Sequence, residues 1–168
     1  MIRPATRMDI PSIVWCNLTA KTLEEIFGYG PSLDQRLFAN EKRLIKAWGS
    51  ENEVDGGLAY VYERSGKVVA FVVITVQPDA IDLGNIDVAK DFQGKGIGEA
   101  LVRFVEDLAR DLSKKYVTLH THRNQKTGRP WRAYWFWLKL GYLEESEIQT
   151  DLGLQYGFTE IRFRKIIQ

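Results

Sequence analysis

The sequence predicts a mixed α/β fold, in which helices cover both faces of one β-sheet. Residues 57–78 are rich in β-branched and aromatic residues and contain the turn signature Arg64-Ser65-Gly66, which indicates a β-hairpin. Residues 97–112 place apolar and charged residues at helical spacing. Along the chain the elements follow the order β-α-α-β-β-β-α-β-α-β-β, which is typical of a mixed sheet between helices.

The N-terminal part of the chain predicts an edge strand and two helices. The strand MIRPA is short and contains Pro4, which cannot donate a hydrogen bond within a central ladder. In the first helix Asp9 is a candidate N-cap and Pro11 suits the first turn. A second helix is predicted over 32–48. Its apolar stripe comprises Leu33, Leu37, Leu44, Ile45 and Trp48.

The remaining elements alternate between strand and helix. A strand over 80–89 precedes the helix over 97–112, and a strand over 116–122 precedes an aromatic helix that ends at Gly141. A hairpin with its second strand near 156–166 closes the chain. The apolar face of the long helix comprises Ile97, Leu101, Phe104, Val105, Leu108 and Leu112.

Composition sets the broad class of the protein. The 168 residues suit a single domain over 1–168, and 23 basic against 22 acidic residues disfavour binding to nucleic acid. The opening residues have no apolar leader, and no apolar run is long enough to span a membrane. Cys16 is the only cysteine and reads as a buried structural thiol, without a disulfide framework or a thiolate metal cluster. A cytoplasmic protein without a metal is expected.

Three glycines at alternate positions, Gly94, Gly96 and Gly98, stand at the start of the long helix. Glycine is a poor helix former, so its use here needs another reason. The first turn of a helix has unpaired N–H groups and a partial positive charge, and glycines leave those donors uncovered. With Lys95 among them, the glycines predict a cradle for phosphate; a tight strand-to-helix turn is the structural alternative.

Two well-known phosphate motifs do not fit this stretch. A P-loop requires Ser or Thr directly after its lysine, whereas Gly96 follows Lys95. A dinucleotide-binding fingerprint starting at Gly96 requires Gly or Ala at position 101, which is leucine. Its ribose-binding acid would fall among Lys114, Lys115 and Tyr116. Both motifs are excluded.

The pattern V-x-x-x-x-Q-x-x-G-x-G, from Val88 through Gln93 to Gly98, resembles the acetyl-CoA-binding signature of the GNAT superfamily of N-acetyltransferases. The opening IRPATRMDI is similar to the first strand and turn of that superfamily, and AYWFWLKLGYLEE, residues 133–145, resembles its second motif. The resemblance implies a mostly antiparallel, twisted sheet of six to seven strands, whose fourth and fifth strands splay apart.

The resemblance also implies acetyl-CoA as cosubstrate. Backbone amides over 93–98 would hold its pyrophosphate, and the strand that ends at Val88 would bind its pantetheine arm in the splayed gap. The N–H group at Val88 would face the thioester carbonyl. The implied cofactor-binding residues are Ile86, Val88, Gln93, Gly94, Lys95, Gly96, Ile97, Gly98 and Asn124.

The implied reaction is direct attack of an amine on the thioester, to which a base contributes because only a neutral amine attacks. Asp82 lies where histone-type members carry a carboxylate base, and His120 resembles the proton-relay histidine of certain N-terminal acetyltransferases. Asp87 is the competing carboxylate. The tyrosine that usually protonates the leaving thiolate aligns with Trp137, and Tyr134, one turn earlier, is its candidate substitute.

The acceptor is predicted only as an amine of a small molecule, a peptide N-terminus or a protein. The segments 27–34 and 151–157 would build its side of the site, with Tyr29 and Tyr156 as candidates. Trp131 and Trp135 either pack in the core, line a pocket or form a homodimer contact. Because Trp137 replaces the expected tyrosine, a non-catalytic acyl-CoA-binding sensor or scaffold domain is the alternative function.

Overall fold

Eight strands form one sheet in the part of the chain that this computed structural model describes, residues 1–21 and 36–168. The sequence predicted six to seven strands, and the shortest of the eight has only two residues. The strands are β1 (Ile2–Pro4), β2 (Glu53–Val54), β3 (Gly57–Arg64), β4 (Lys67–Val76), β5 (Ala80–Val88), β6 (Tyr116–Asn124), β7 (Leu143–Ile148) and β8 (Phe158–Ile166).

The helices lie on both faces of this sheet, as predicted. They are α1 (Ile10–Ala20), α2 (Glu41–Ala47), α3 (Ile97–Asp111), α4 (Ala133–Lys139) and α5 (Asp151–Tyr156), with 3-10 turns over Arg7–Asp9 and Lys90–Phe92. The core under α3 contains Leu101 and Val105, and the core under α1 contains Ile13 and Cys16. These two helices thus bury apolar side chains against a β-branched sheet surface.

The sheet order is β1-β3-β4-β5-β6-β8-β7, with β2 beside β3, and only the β5–β6 pair among these neighbours is parallel. That pair is hydrogen-bonded only from Ala80 to Leu83 on β5. Beyond Leu83, β5 continues along β4 to Val88 while β6 continues along β8 to Asn124. The two strands therefore open a gap. They are the fourth and fifth strands of the predicted order, since β2 was not predicted, and the gap confirms the splay implied by the resemblance.

A β-bulge lies at the mouth of this gap. Leu83 faces Ile74 and Asn85 faces Val73 on β4, so Gly84 is an extra residue between two paired positions. Such an insertion bends a strand and shifts the alternation of its side chains by one residue. Asp82 and Asp87 consequently project from the same face of the sheet, the face that α1 covers.

Two predicted helices differ from the structure at their ends. Asp9 does not cap α1 with its side chain, because its carboxylate accepts from the N–H group of Thr6 at 2.8 Å and pairs with Arg3 at 2.8 Å. Burial alone would raise the pKa of Asp9, but Arg3 and Thr6 hold it below its usual value. Of the second helix, predicted over 32–48, residues 36–40 form no α-helix, and the observed helix spans Glu41–Ala47 after the side-chain cap Asn40. Leu33 lies outside the described residues.

The closing hairpin contains a short helix that the sequence did not predict. The hydroxyl of Thr150 accepts from the N–H group of Gly153 at 2.9 Å and caps α5. Gly157, at φ +78°, ends it in the left-handed conformation that favours glycine. The predicted strand near 156–166 is observed as β8.

The face of α3 that packs on the sheet includes a buried carboxylate. Glu106 accepts from the hydroxyl of Tyr142 at 3.1 Å and from the Nζ of Lys165 at 2.8 Å. Leu112, by contrast, is 45% exposed just beyond the end of the helix, although the sequence predicted it on the apolar face. Burial and the nearby carboxylate raise the pKa of Tyr142, so its hydroxyl keeps its proton and donates.

Replacing Tyr142 by Phe is expected to lower the free energy of unfolding by about 1.5–3 kcal/mol, the usual range for a hydrogen bond to a charged group. The loss leaves a buried Glu106 oxygen with one donor fewer. Urea unfolding followed by circular dichroism measures it. In a Glu106→Gln background the same substitution should cost less, and an equal cost in both backgrounds would contradict the assigned hydrogen bond.

Candidate active site

The turn before α3 has the backbone that the glycines predicted. Gly94 and Gly96 have φ values of +71° and +78°, a conformation that residues with a Cβ rarely adopt. A Cβ built on either residue would meet nothing within 4 Å, so the space in front of the helix N-terminus is open. At Gly98 a Cβ would lie 3.5 Å from Phe136, an ordinary contact. This turn and open space have the geometry that an anion site at a helix N-terminus requires.

Gln93 fastens this turn to three other elements. Its amide nitrogen donates to the carbonyl oxygens of Val88 at 2.9 Å and Ala20 at 3.3 Å, and its oxygen accepts from Arg132 at 3.2 Å. The ends of β5 and α1 and the start of α4 thus hold the turn in place. The predicted role of Gln93 was contact with a ligand, and these bonds add a structural one.

Two cavities flank the splayed strands. The cradle cavity, about 710 Å³, extends from the glycine turn along the end of β5. Of the predicted cofactor residues it is lined by Ile86, Val88, Gln93, Gly94, Gly96, Ile97 and Gly98. The inner cavity, about 390 Å³, lies between β5 and β6 toward α1. Of the described residues, four line both cavities: Lys21, Ile86, Ala133 and Trp137.

The edge of β5 presents backbone groups to the gap. The N–H group of Ala89 donates to Val69 on β4 at 2.9 Å. Because hydrogen-bonding direction alternates along a strand, the N–H and carbonyl groups of Val88 point the other way, into the gap. The bond from Gln93 to the Val88 carbonyl agrees with this direction. Ile86, two residues earlier, presents its backbone to the same edge.

The two histidines of β6 differ in their surroundings. His120 is exposed and lines the inner cavity. His122 is buried between the rings of Trp131 and Phe158, at centroid distances of 4.4 and 4.5 Å. Burial, together with the neighbouring charges of His120 and Lys21, lowers the pKa of His122 to about 3. His122 is therefore neutral near pH 7 and a weak base.

Four predicted site residues, Lys95 among them, lie outside the described lining of both cavities. Asp82 accepts from the hydroxyl of Thr118 at 2.9 Å, in the part of β5 still paired with β6. The side-chain oxygen of Asn124 accepts from the N–H groups of residues 126 and 127 and shapes the loop after β6. The hydroxyl of Tyr134 donates to Glu144 at 3.0 Å.

The surroundings of Tyr134 and Lys95 also differ from their predicted roles. Desolvation and the Glu144 carboxylate raise the pKa of Tyr134, the reverse of what a proton donor at neutral pH requires. The ammonium of Lys95 donates to the carbonyl of Asp91 at 2.8 Å, and the residue lies outside the described lining of the cradle cavity. Tyr29 lies outside the described residues.

A buried polar cluster joins α1 to β5, and the sequence indicated only one of its members, Asp87. The Nζ of Lys21 lies 2.6 Å from one oxygen of Asp87, and the side-chain nitrogen of Asn17 donates to the other at 2.6 Å. Asn17 and Lys21 are four residues apart, the spacing that puts two side chains on one helix face. The polar residue Asn17 on the apolar side of α1 is the feature of the sequence that could have indicated this cluster.

Cys16 is buried beside the cluster, and burial raises its pKa to about 12, which fits the predicted structural thiol.

One group of side chains has the composition of a metal site. Ligand atoms of His120, His122 and Glu160 lie within 4.8 Å of one another. Glu160 accepts from the Nε of Arg162 at 3.0 Å, and the His122 ring is packed between two aromatic rings. These contacts give Glu160 and His122 partners within the protein. That the protein needs no metal remains a prediction.

The two tryptophans in question differ in exposure. Trp131 is buried and lines the inner cavity, which fits the predicted pocket role. Trp135 is 63% exposed.

Among the helices of the described residues, none is long and apolar enough to cross a membrane.

Comparison with known proteins gives a consistent picture. The profile of the acetyltransferase (GNAT) family matches residues 19–135. The structure is similar to the ribosomal-protein-S18-alanine N-acetyltransferase of Escherichia coli, with a TM-score of 0.70 and 20% identity over 100% of this chain and 94% of that one. It is also similar to an aminoglycoside 6'-N-acetyltransferase solved with coenzyme A (TM-score 0.67, 17% identity, 100% and 97% covered). A protein from Streptococcus mutans gives 0.72 at 19% identity, with 100% and 99% covered. These structures share the fold; no curated protein sequence matches significantly.

Proposed function

Because this chain belongs to the acetyltransferase (GNAT) family and so transfers an acetyl group from acetyl-CoA to an amine, we propose that the transfer takes place in the gap between β5 and β6. The observation that carries this proposal is the meeting of two cavities at that gap. The cradle cavity would take the cofactor, with its pyrophosphate on the N–H groups at Gly94, Gly96 and Gly98. The inner cavity would take the acceptor amine.

The chain would hold the thioester through the backbone of β5. The N–H group of Val88 points into the gap, where it can donate to the thioester carbonyl and to the oxyanion that forms on attack. Ile86 and Val88 would bind the pantetheine arm along the same edge. When bound, acetyl-CoA would supply the activated acyl group, and the protein would supply the groups that position the thioester and stabilise its charge.

His120 is the base that the geometry favours. It lines the inner cavity and is exposed, so a proton taken from the amine can pass on to solvent. Asp82 contacts Thr118 outside both cavities, and Asp87 already accepts from Lys21 and Asn17. Of the three candidates weighed from the sequence, His120 alone faces the space where an amine would bind.

The experiment that tests this function incubates the protein with acetyl-CoA and a panel of amines and follows thiol release. The panel contains peptides with free N-termini, including alanine, together with lysine peptides, aminoglycosides and free amino acids. An α-amino group with a pKa of about 8 is roughly a tenth neutral at pH 7, so peptide N-termini need the least help from a base. Tight CoA binding without turnover on any acceptor would favour the sensor or scaffold function.

We further propose a cytoplasmic enzyme that needs no metal and that forms a homodimer through the exposed ring of Trp135. Sedimentation of the wild type and of Trp135→Ser tests the dimer. A wild-type protein that sediments as a monomer would contradict it.

A further inference from the structure

We propose that the ammonium group of Lys21 stabilises the CoA thiolate that leaves when the amine attacks the thioester. This inference rests on the proposed function, since it assigns a catalytic residue to that reaction. The family's usual donor to the thiolate is a tyrosine, and this chain has Trp137 at that position. An indole N–H group cannot give its proton to a thiolate.

The position of Lys21 is the first argument. It is one of the four residues that line both the cradle cavity and the inner cavity. The other three are Ile86, Ala133 and Trp137, so among the described residues common to both cavities Lys21 alone carries a charge. The thioester must lie where the two cavities meet, because its sulfur belongs to the cofactor and its carbonyl carbon receives the amine.

The second argument is that the ammonium is held in place. Its Nζ lies 2.6 Å from Asp87, which is 4% exposed and is fixed on its other oxygen by Asn17 at 2.6 Å. The Lys21 side chain is itself only 16% exposed. A charge fixed before reaction and shielded from water stabilises a developing anion more strongly than a mobile surface charge does.

Other charged groups surround the ion pair of Lys21 and Asp87. Burial raises the pKa of Asp87 on β5, while Lys21, the hydrogen bond from Asn17 and the charge of Arg36 act in the opposite direction. From β6, His122 senses the positive charge of Lys21, which contributes to its low pKa. Lys21 and His122 both line the inner cavity.

The chemistry balances with this assignment. The amine nitrogen forms the C–N bond, the C–S bond breaks, and its electron pair goes to sulfur. The amine proton passes to His120 and then to solvent. Because a lysine, with an ordinary pKa of about 10.4, is a weaker acid than a thiol at about 8.5, Lys21 acts as the partner of the thiolate in an ion pair and keeps its proton.

The test is titration of the CoA thiol bound to the enzyme, followed by the ultraviolet absorbance of the thiolate. In the wild type the bound thiol should titrate below its value in free CoA, by about one pKa unit, which corresponds to roughly a tenfold change in the ionisation constant. In Lys21→Met the difference should vanish, and kcat should fall on the order of a hundredfold. Lys21→Arg, which keeps the charge, should retain most of the shift.

Two further variants make the result decisive. Lys139→Met removes a cation that lines only the cradle cavity, and it should leave the titration of the bound thiol unchanged. Lys21→Met leaves buried Asp87 without its ammonium partner, so Lys21→Met/Asp87→Asn is measured beside it to separate misfolding from lost charge. An equal thiol pKa in the wild type, in Lys21→Met and in Lys21→Met/Asp87→Asn would overturn the proposal. A wild type that binds no CoA would instead overturn the proposed function.

Discussion

Replacing Gly96 by Glu is expected to weaken CoA binding by at least about a hundredfold, or roughly 2.7 kcal/mol. Gly96 is the N-cap of α3, and a Cβ built on it points into open space in front of the helix N–H groups. A glutamate there would place both bulk and negative charge where the pyrophosphate is proposed to bind. Isothermal titration with CoA measures the loss.

The matched control is Gly66→Glu in the hairpin between β3 and β4. Gly66 has φ +73°, and a Cβ on it also meets nothing within 4 Å, so the backbone strain is the same as at Gly96. Both variants should lose about 1–2 kcal/mol of stability from a side chain in the left-handed region. Only Gly96→Glu should lose CoA affinity, and equal affinity in the two variants would contradict the phosphate cradle.

The sequence could predict the cradle because it depends on local backbone chemistry. Residues 93–98 are contiguous, and the positive φ values of Gly94 and Gly96 are of the kind that glycine is used for. The splayed strands could be predicted only through the resemblance, since no single segment shows where a parallel pair stops hydrogen bonding. Here the pairing ends at Leu83 and Leu119, on two strands far apart in the chain.

The base was harder to predict because strand alternation is interrupted at Gly84. In a regular strand, counting back from Val88 in steps of two would put position 82 on the face of Val88. The bulge moves Asp82 to the other face, which it shares with Asp87. On that face Asp82 faces Thr118, two residues before His120 on β6, which is about 7 Å along a strand. One inserted residue therefore changes the face from which Asp82 projects, and the pairing of residues 80–83 with β6 places it away from the gap.

The ion pair between Lys21 and Asp87 could not be predicted for a different reason. It joins Lys21, the residue directly after α1, to a residue of β5, and only the packed fold brings these two together. Asn17 is a polar residue on a helix side that otherwise packs in the core. The periodicity of apolar residues predicts which side of a helix is buried, but it does not predict which buried polar groups contact each other. The same holds for Glu106, whose partners Tyr142 and Lys165 come from the C-terminal part of the chain.

Replacing His120 by Gln is expected to lower kcat/KM by about 10²–10³-fold, within the usual range for loss of a general base. The base must be unprotonated to accept a proton from the amine, so the wild-type rate should fall as the pH is lowered. In His120→Gln this acid limb should become less steep, because only the ionisation of the amine itself then remains. The measurement is the pH dependence of kcat/KM with the best acceptor from the amine panel.

Asp82→Asn is the discriminating partner of this variant, because Asp82 and His120 were the two leading candidates and lie on neighbouring strands. Its carboxylate accepts from Thr118, and an asparagine oxygen can accept the same bond, so the fold should be retained. Activity and the acid limb should both stay as in the wild type. If Asp82→Asn flattens the profile while His120→Gln leaves it intact, the base is Asp82, and the acceptor would then have to bind against the paired part of β5 and β6.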